Sequence, residues 1–184
     1  MNLSPNNVSD VLSFWFEQSG REKWFKTSDS FDADVRRRFE TLAVSLAGAR
    51  SLQPETPNEA LAMILCLDQF PRNMYRGTPA AFAWDDRALS CAQHMVDQGW
   101  DLKLEQDPRS FVYMPFMHAE DLAMQAMCVD LTDRRLDNEN QLFHAKAHMK
   151  LIEKFGRFPH RNEILGRKST AEELSYQADG GYRP

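Results

Sequence analysis

The stretch from Thr56 to Leu67 (Thr-Pro-Asn-Glu-Ala-Leu-Ala-Met-Ile-Leu-Cys-Leu) constrains the fold more than any other part of the chain. It opens as a helix start. The Thr56 hydroxyl can cap, Pro57 tolerates the first helical position, and Glu59 can complete a capping box. Ala60 to Leu67 are then apolar without interruption. Such a helix has no side to give to water, so it must be central and enclosed by protein. The run is far short of the ~20 residues that cross a bilayer.

Amphipathic segments that could enclose it lie on both sides. Val8, Val11, Leu12, Trp15 and Phe16 recur at helical spacing, with Ser9 or Asp10 as cap and a stop near Gly20. Lys23-Trp24-Phe25 reads as an aromatic anchor before a second helix striped by Phe31, Val35, Phe39, Leu42 and Leu46. Arg36, Arg37 and Arg38 face water in that helix. Asp68 and Arg72 sit four apart at the exit of the central helix, where Pro71 limits its continuation. Thr78-Pro79 starts a fourth helix that ends at Gly99. Asp107-Pro108 opens a short segment through Met114, and Pro115 begins a further helix to about Thr132. A sixth helix runs from about Asn138 to Phe155, with Gly156 at its C-terminus, and Ser169-Thr170-Ala-Glu-Glu173 starts a last short one. No period-two stretch is bounded by hairpin turns. The expected fold is all-α, built from stacked antiparallel helix pairs, as a single domain over residues 1–184.

Composition narrows the function classes. Hydrophobic residues make up 42% and the net charge is -5, which suits a globular chain and argues against nucleic acid as a partner. Cys66, Cys91 and Cys128 stand singly in apolar helical patterns, as buried reduced thiols do. Met1 to Ser9 lacks a basic start followed by an apolar stretch. A cytoplasmic protein with no membrane partner is expected.

Candidate chemistry concentrates in three places. The first is Phe155 to Arg167, which sets Arg157, His160, Arg161, Asn162 and Arg167 among aromatic and apolar residues. A shorter echo, Asp68-Gln-Phe-Pro-Arg-Asn-Met-Tyr-Arg-Gly77, also carries Phe-Pro followed by Arg and Asn. The third is the apolar helix expected after Pro115, where His118, Asp121 and Gln125 share a face at i, i+3 and i+7. Glu120 lies on its apolar stripe, where a carboxylate either ionises against a buried arginine or keeps its proton with a raised pKa; Arg72, Arg157 and Arg161 are the candidate partners. A buried ion-pair network that sets helix crossings is the competing explanation of the same residues. His144 and His148 have the spacing of two metal ligands on one helix, but Ala-Lys-Ala between them lacks the acidic residue of a zinc-protease motif. No nucleophile elbow, phosphate loop or dinucleotide fingerprint occurs, and no cofactor is indicated.

Several blocks, in order along nearly the whole chain, resemble the bacterial domain-of-unknown-function 924 family. They are Leu12-Ser-Phe-Trp-Phe16, Trp24-Phe25, Asp68-Gln-Phe-Pro-Arg-Asn73, Pro115-Phe-Met-His-Ala-Glu-Asp-Leu122 and Phe155-Gly-Arg-Phe-Pro-His-Arg-Asn162, followed by Gly166-Arg167. The resemblance implies a tetratricopeptide-like helical superhelix, although no 34-residue repeat signature is present. It places family motif positions at Trp15, Phe16, Asp68, Gln69, Arg72, Asn73, His118, Glu120, Asp121, His148, His160, Arg161 and Asn162. Ala119 stands where the family commonly has Ser, and His144 matches no motif position.

The expectation for function is a pocket for a small anionic molecule. Arg72 and Arg161 bind it, Asn73 and Asn162 orient it, and Asp68, His148 and Trp15 complete the lining. If a reaction occurs there, His118 or His160 carries the proton, with Glu120 or Asp121 as partner. One alternative is a tetratricopeptide-like module with a protein or peptide partner, its motif residues serving the fold. Another is a metal-dependent hydrolase.

Overall fold

A computed structural model of the protein describes residues 1–183. Its elements are helical throughout, with no strand among the described residues. Helix α1 (Pro5–Leu12) starts earlier than its apolar spacing suggests. Ser4 caps it, accepting the Asn7 N–H at 3.2 Å, and Pro5 takes the first turn. This is the same hydroxyl-proline start as at Thr56. The helix runs on through a widened turn at Ser13–Gln18, closed by Ser19 N–H donating to Phe14 C=O. After α2 (Arg21–Trp24) comes α3 (Asp29–Gly48), capped by Ser28. Phe31, Val35, Phe39 and Leu46 of α3 are buried, while Arg36, Arg37 and Arg38 are exposed as expected.

The central helix α4 (Pro57–Ile64) is capped by Thr56, and every residue from Ala60 to Leu67 is buried. Glu59 does not close the capping box. Its buried carboxylate instead accepts the N–H of Leu3 at 2.6 Å and of Glu55 at 2.8 Å, fastening the N-terminal segment to the core. Pro71 does not stop the helix either. The turn Leu65–Gln69 widens to the π pattern, with Phe70 N–H reaching back to Leu65 C=O, and α5 (Phe70–Met74) continues beyond. A widened turn changes which carbonyls need donors, and such turns often mark functional positions. Asp68 sits inside this one.

Thr78-Pro79 opens only a 3-10 turn, and helix α6 (Asp85–Asp97) begins after Trp84. The largest departure is at Pro115. It lies within a continuous helix α7 (Gln106–His118), whose residues Ser110 to Met117 are all buried. Tertiary burial of that whole segment outweighs the local cost of an internal proline. The break falls instead at Ala119–Asp121, and α8 (Leu122–Arg135) follows with Asp121 as its cap. His118, Asp121 and Gln125 therefore do not share a helix face. Gln125 turns back instead, fully buried, its Nε2 within reach of the C=O groups of Phe116 (3.3 Å), Met117 (2.6 Å) and Ala119 (2.7 Å). Of these, the Phe116 carbonyl also accepts Ala119 N–H at 3.3 Å, whereas the Met117 carbonyl, in the last turn of α7, has no intrahelical donor. Helix α9 (Glu139–Phe155) is capped by Asn138 and ends at Gly156 with φ +67°, and α10 (Ala171–Ala178) has a complete Thr170–Glu173 capping box.

Aromatic rings knit the first half together. Trp15, wholly buried, lies 5.6 Å from Phe70 and 5.7 Å from Phe111 and stacks on Trp24. A second buried polar knot stands apart: Asp101 accepts from Tyr113 Oη at 2.6 Å and Arg135 Nη1 at 2.7 Å. It joins α7 to the end of α8.

Replacing Gln125 with Ala removes the donor shared by the last carbonyls of α7. Chemical denaturation should show a loss of about 2 kcal/mol, with a perturbed His118 imidazole resonance. An unchanged midpoint and resonance would contradict the role given to Gln125.

Candidate functional site

Asp68 is the only charged residue in the run from Ala60 to Phe70, and its side chain is fully buried. Three neighbours satisfy its carboxylate, and Arg72 among them supplies the opposite charge. His118, the last residue of α7, donates Nδ1–H to Oδ1 at 2.7 Å. Gln69 donates to Oδ2 at 2.5 Å, and Arg72 places Nη1 at 3.3 Å from Oδ1 and 2.7 Å from the Asp68 carbonyl. Burial pushes the Asp68 pKa up, but the charge of Arg72 and the hydrogen bonds from His118 and Gln69 hold it well below the usual carboxylate range. An ionised Asp68 keeps the proton on Nδ1 of His118 and leaves Nε2 as the imidazole's free acceptor. No protein group among the described residues bonds that nitrogen. Burial and the Arg72 charge push the His118 pKa down, against the pull of Asp68, so the ring is neutral near pH 7.

Asp85 forms a second ring around this dyad. It accepts a bidentate pair from Arg72, at 2.8 and 2.9 Å, from the first turn of α6. Arg161, which follows Pro159 in a short 3-10 turn, reaches the same carboxylate from the far end of the chain with Nη1 at a long 3.4 Å. Its guanidinium lies 4.6 Å from the ring centres of both Phe82 and Phe158. Arg161 is only 8% exposed, and its Nε is buried with no partner. Burial and the neighbouring Arg72 charge push its pKa down to about 10. Arg72 is thus saturated by two carboxylates, whereas Arg161 is short of acceptors.

His160 and His148 lie in the same electrostatic field. His160 has a buried Nδ1 without a partner, and burial together with Arg161 pushes its pKa down to about 4. His148 donates Nδ1–H to the His144 carbonyl at 2.8 Å and packs edge-on to Phe158, and burial pushes its pKa down to about 3. His144 bonds Tyr182 Oη at 2.7 Å. The two histidines therefore serve α9 and the C-terminal segment rather than a shared ion. No group of three or more His, Cys, Asp or Glu able to hold a metal occurs among the described residues.

The other expected residues are placed elsewhere. Glu120 accepts Phe158 N–H at 2.7 Å and both Nη groups of Arg167 at 2.6 and 2.9 Å. Its arginine partner is Arg167, and the pair moors the segment that carries Arg161. Asp121 is exposed and caps α8, so neither carboxylate partners His118. Asp68 does. Asn73 donates to Asp32 at 2.7 Å, towards α3. Asn162 bonds Ser169 and Glu173, and Glu173 also takes a bidentate pair from Arg157. Trp15 belongs to the aromatic core. Asp85 and Phe82 are the members that periodicity could not reveal. Asp85 falls inside the fourth helix expected from Thr78-Pro79, and its partner Arg161 is distant in sequence. Two cavities, of about 490 and 240 Å³, are lined by other residues.

A family model described as bacterial protein of unknown function (DUF924) matches residues 11–181. The solved structure of a protein of unknown function from Agrobacterium tumefaciens superposes with a TM-score of 0.85 at 38% identity. The match covers 94% of this chain and 97% of that one. Comparison with curated proteins gives no match.

The depressed histidine pKa values set the acid response. His148 and His160 are held neutral when folded, so their contribution is complete above pH 6.5, the ordinary histidine value. It is lost as pH falls through about 4 for His160 and about 3 for His148. The melting temperature should hold above pH 6.5 and fall below it, with His148→Asn flattening part of the fall. A flat curve between pH 7 and 4 would refute this. Asp68→Asn leaves Arg72 short of its buried partner and should cost about 3 kcal/mol by denaturant titration at pH 7.

Proposed function

The chain belongs to the DUF924 family of bacterial proteins of unknown function, and we propose that it binds a small anion, a carboxylate or phosphate, between Arg161 and His118. The observation that supports this is the under-used guanidinium of Arg161. It is buried between two aromatic faces, holds one long bond to a carboxylate already taken by Arg72, and keeps Nε unpartnered. A buried cation with too few acceptors is costly. A ligand anion supplies those acceptors through the paired hydrogen bonds that a guanidinium favours.

The neighbours divide the work. Arg72 and Asp85 position Arg161 and leave its remaining donors for the ligand. Phe82 and Phe158 exclude water from its faces, which strengthens any charge-assisted bond made there. His118, 16% exposed, presents the nitrogen opposite its Asp68 bond. Neutral at pH 7, it can take a proton from a group on the bound molecule, and Asp68 stabilises the imidazolium that results. His160 offers a second neutral imidazole beside the anion. Proton transfer from a small anionic substrate is the chemistry this set supports best.

Inorganic phosphate and small dicarboxylates are suitable probes, read through the imidazole ¹H–¹⁵N correlations of the full chain. Binding should shift the His118 and His160 signals and raise the His118 pKa. Arg161→Lys, which keeps the charge but loses the fork, should weaken binding about tenfold without unfolding the protein. The reading fails if no anion shifts these signals, or if Arg161→Lys binds as the parent does.

A further inference from the structure

Helix α6 carries more than Asp85. Arg87, Ser90, Cys91 and His94 fall at i, i+3, i+4 and i+7, which sets them along one face. Residues two apart do not face each other on a helix, so this line is directed away from the Asp85 carboxylate. Opposite it runs the loop Arg50-Ser-Leu-Gln-Pro54. The two enclose a cavity of about 490 Å³, lined by Arg50, Arg87 and His94 with Ser51, Ser90 and Gln53, over an apolar floor of Leu52, Pro54 and Cys91.

Three features give this cavity a ligand chemistry. It lies within the range of about 300–1,000 Å³ typical of small-molecule sites. No carboxylate lines it, although the chain as a whole carries a net charge of -5. Arg87 also has an unspent donor: Nη2 holds the Ala49 carbonyl at 2.7 Å, while Nε is buried without a partner. The walls are braced by their own bonds. The Ala49 contact ties the loop to α6, and Gln53 N–H donates to the Met1 carbonyl at 3.2 Å. Cys91 is buried, and burial pushes its thiol pKa up to about 11, so it serves as neutral floor.

We infer that this cavity is a binding site for a small phosphorylated metabolite. Arg50 and Arg87 take the phosphoryl oxygens, the Ser51 and Ser90 hydroxyls add neutral donors, and the organic body lies on Leu52, Pro54 and Cys91. Phosphate suits the lining better than a lone carboxylate does. Donors converge from two walls, and a tetrahedral oxyanion can accept from both at once. This face of α6 is turned away from Asp85, and so from the anion site proposed at Arg161.

Inorganic pyrophosphate is the probe, followed by backbone ¹H–¹⁵N spectra of the full chain. Shifts should concentrate at residues 50–54 and 87–94. Arg50→Glu, at an exposed loop position, should weaken binding about tenfold or more, and Ser90→Trp, which fills the cavity from the helix side, should abolish it. Arg161→Lys should leave it unchanged. Circular dichroism establishes that each variant is folded. The inference is overturned if pyrophosphate shifts nothing in these segments or binds Arg50→Glu and Ser90→Trp like the parent. It is also overturned if the shifts fall only around His118 and Arg161, a result that leaves the first anion site standing.

Discussion

A single carboxylate, Asp68, buried at the end of an apolar helix, governs the polar cluster of the candidate site. An unpaired charge in that position would cost several kcal/mol, so its neighbours must be held accurately. Gln69 and Arg72 come from the same helical run, and His118 is brought by the end of α7. Each of these depends on something further out. Asp85 completes Arg72, and Gln125 ties off the carbonyls of α7 where His118 emerges. The widened turn at Leu65–Gln69 carries Asp68 and lets the helix pass Pro71 without a break.

The polar-rich segment from Phe155 to Arg167 divides into moorings and one inward cation. Arg157 and Asn162 are fastened to Glu173 at the start of α10, and Arg167 is fastened to Glu120 beyond the end of α7. With both flanks secured, Arg161 is pushed between Phe82 and Phe158 and into the field of Arg72. The shortage of acceptors around it is therefore imposed by its neighbours rather than chosen by a flexible side chain. A guanidinium held in that way loses little freedom when an anion arrives, which favours binding.

Much of the architecture could be read locally, because helix starts and stops are local chemistry. Thr56-Pro57, Asn138, Gly156 and Thr170 behave as their side-chain oxygens, ring or missing Cβ require. The readings that failed involve competition with distant groups. Pro115 should begin a helix by its own preference, yet burial of Ser110 to Met117 carries α7 straight through it. Glu59 has the capping-box position but is drawn to Leu3, remote in sequence. The site followed the same rule. Asp68 and Arg72 were visible as an i, i+4 pair, and Arg161 and His118 as polar residues in apolar surroundings. The pairing of His118 with Asp68 rather than Asp121 depended on where one helix ended.

By itself, then, the sequence determined an all-helical chain with an enclosed central helix, and it marked three segments rich in groups capable of chemistry. Periodicity and capping suffice for that, since both act within a few residues. Only the tertiary structure decided which distant polar groups pair: Glu120 with Arg167, Asp68 with His118, and Asp85 shared between Arg72 and Arg161. Electrostatic partnership depends on distance in space and on exclusion of water. Packing creates both, and no stretch of sequence contains them.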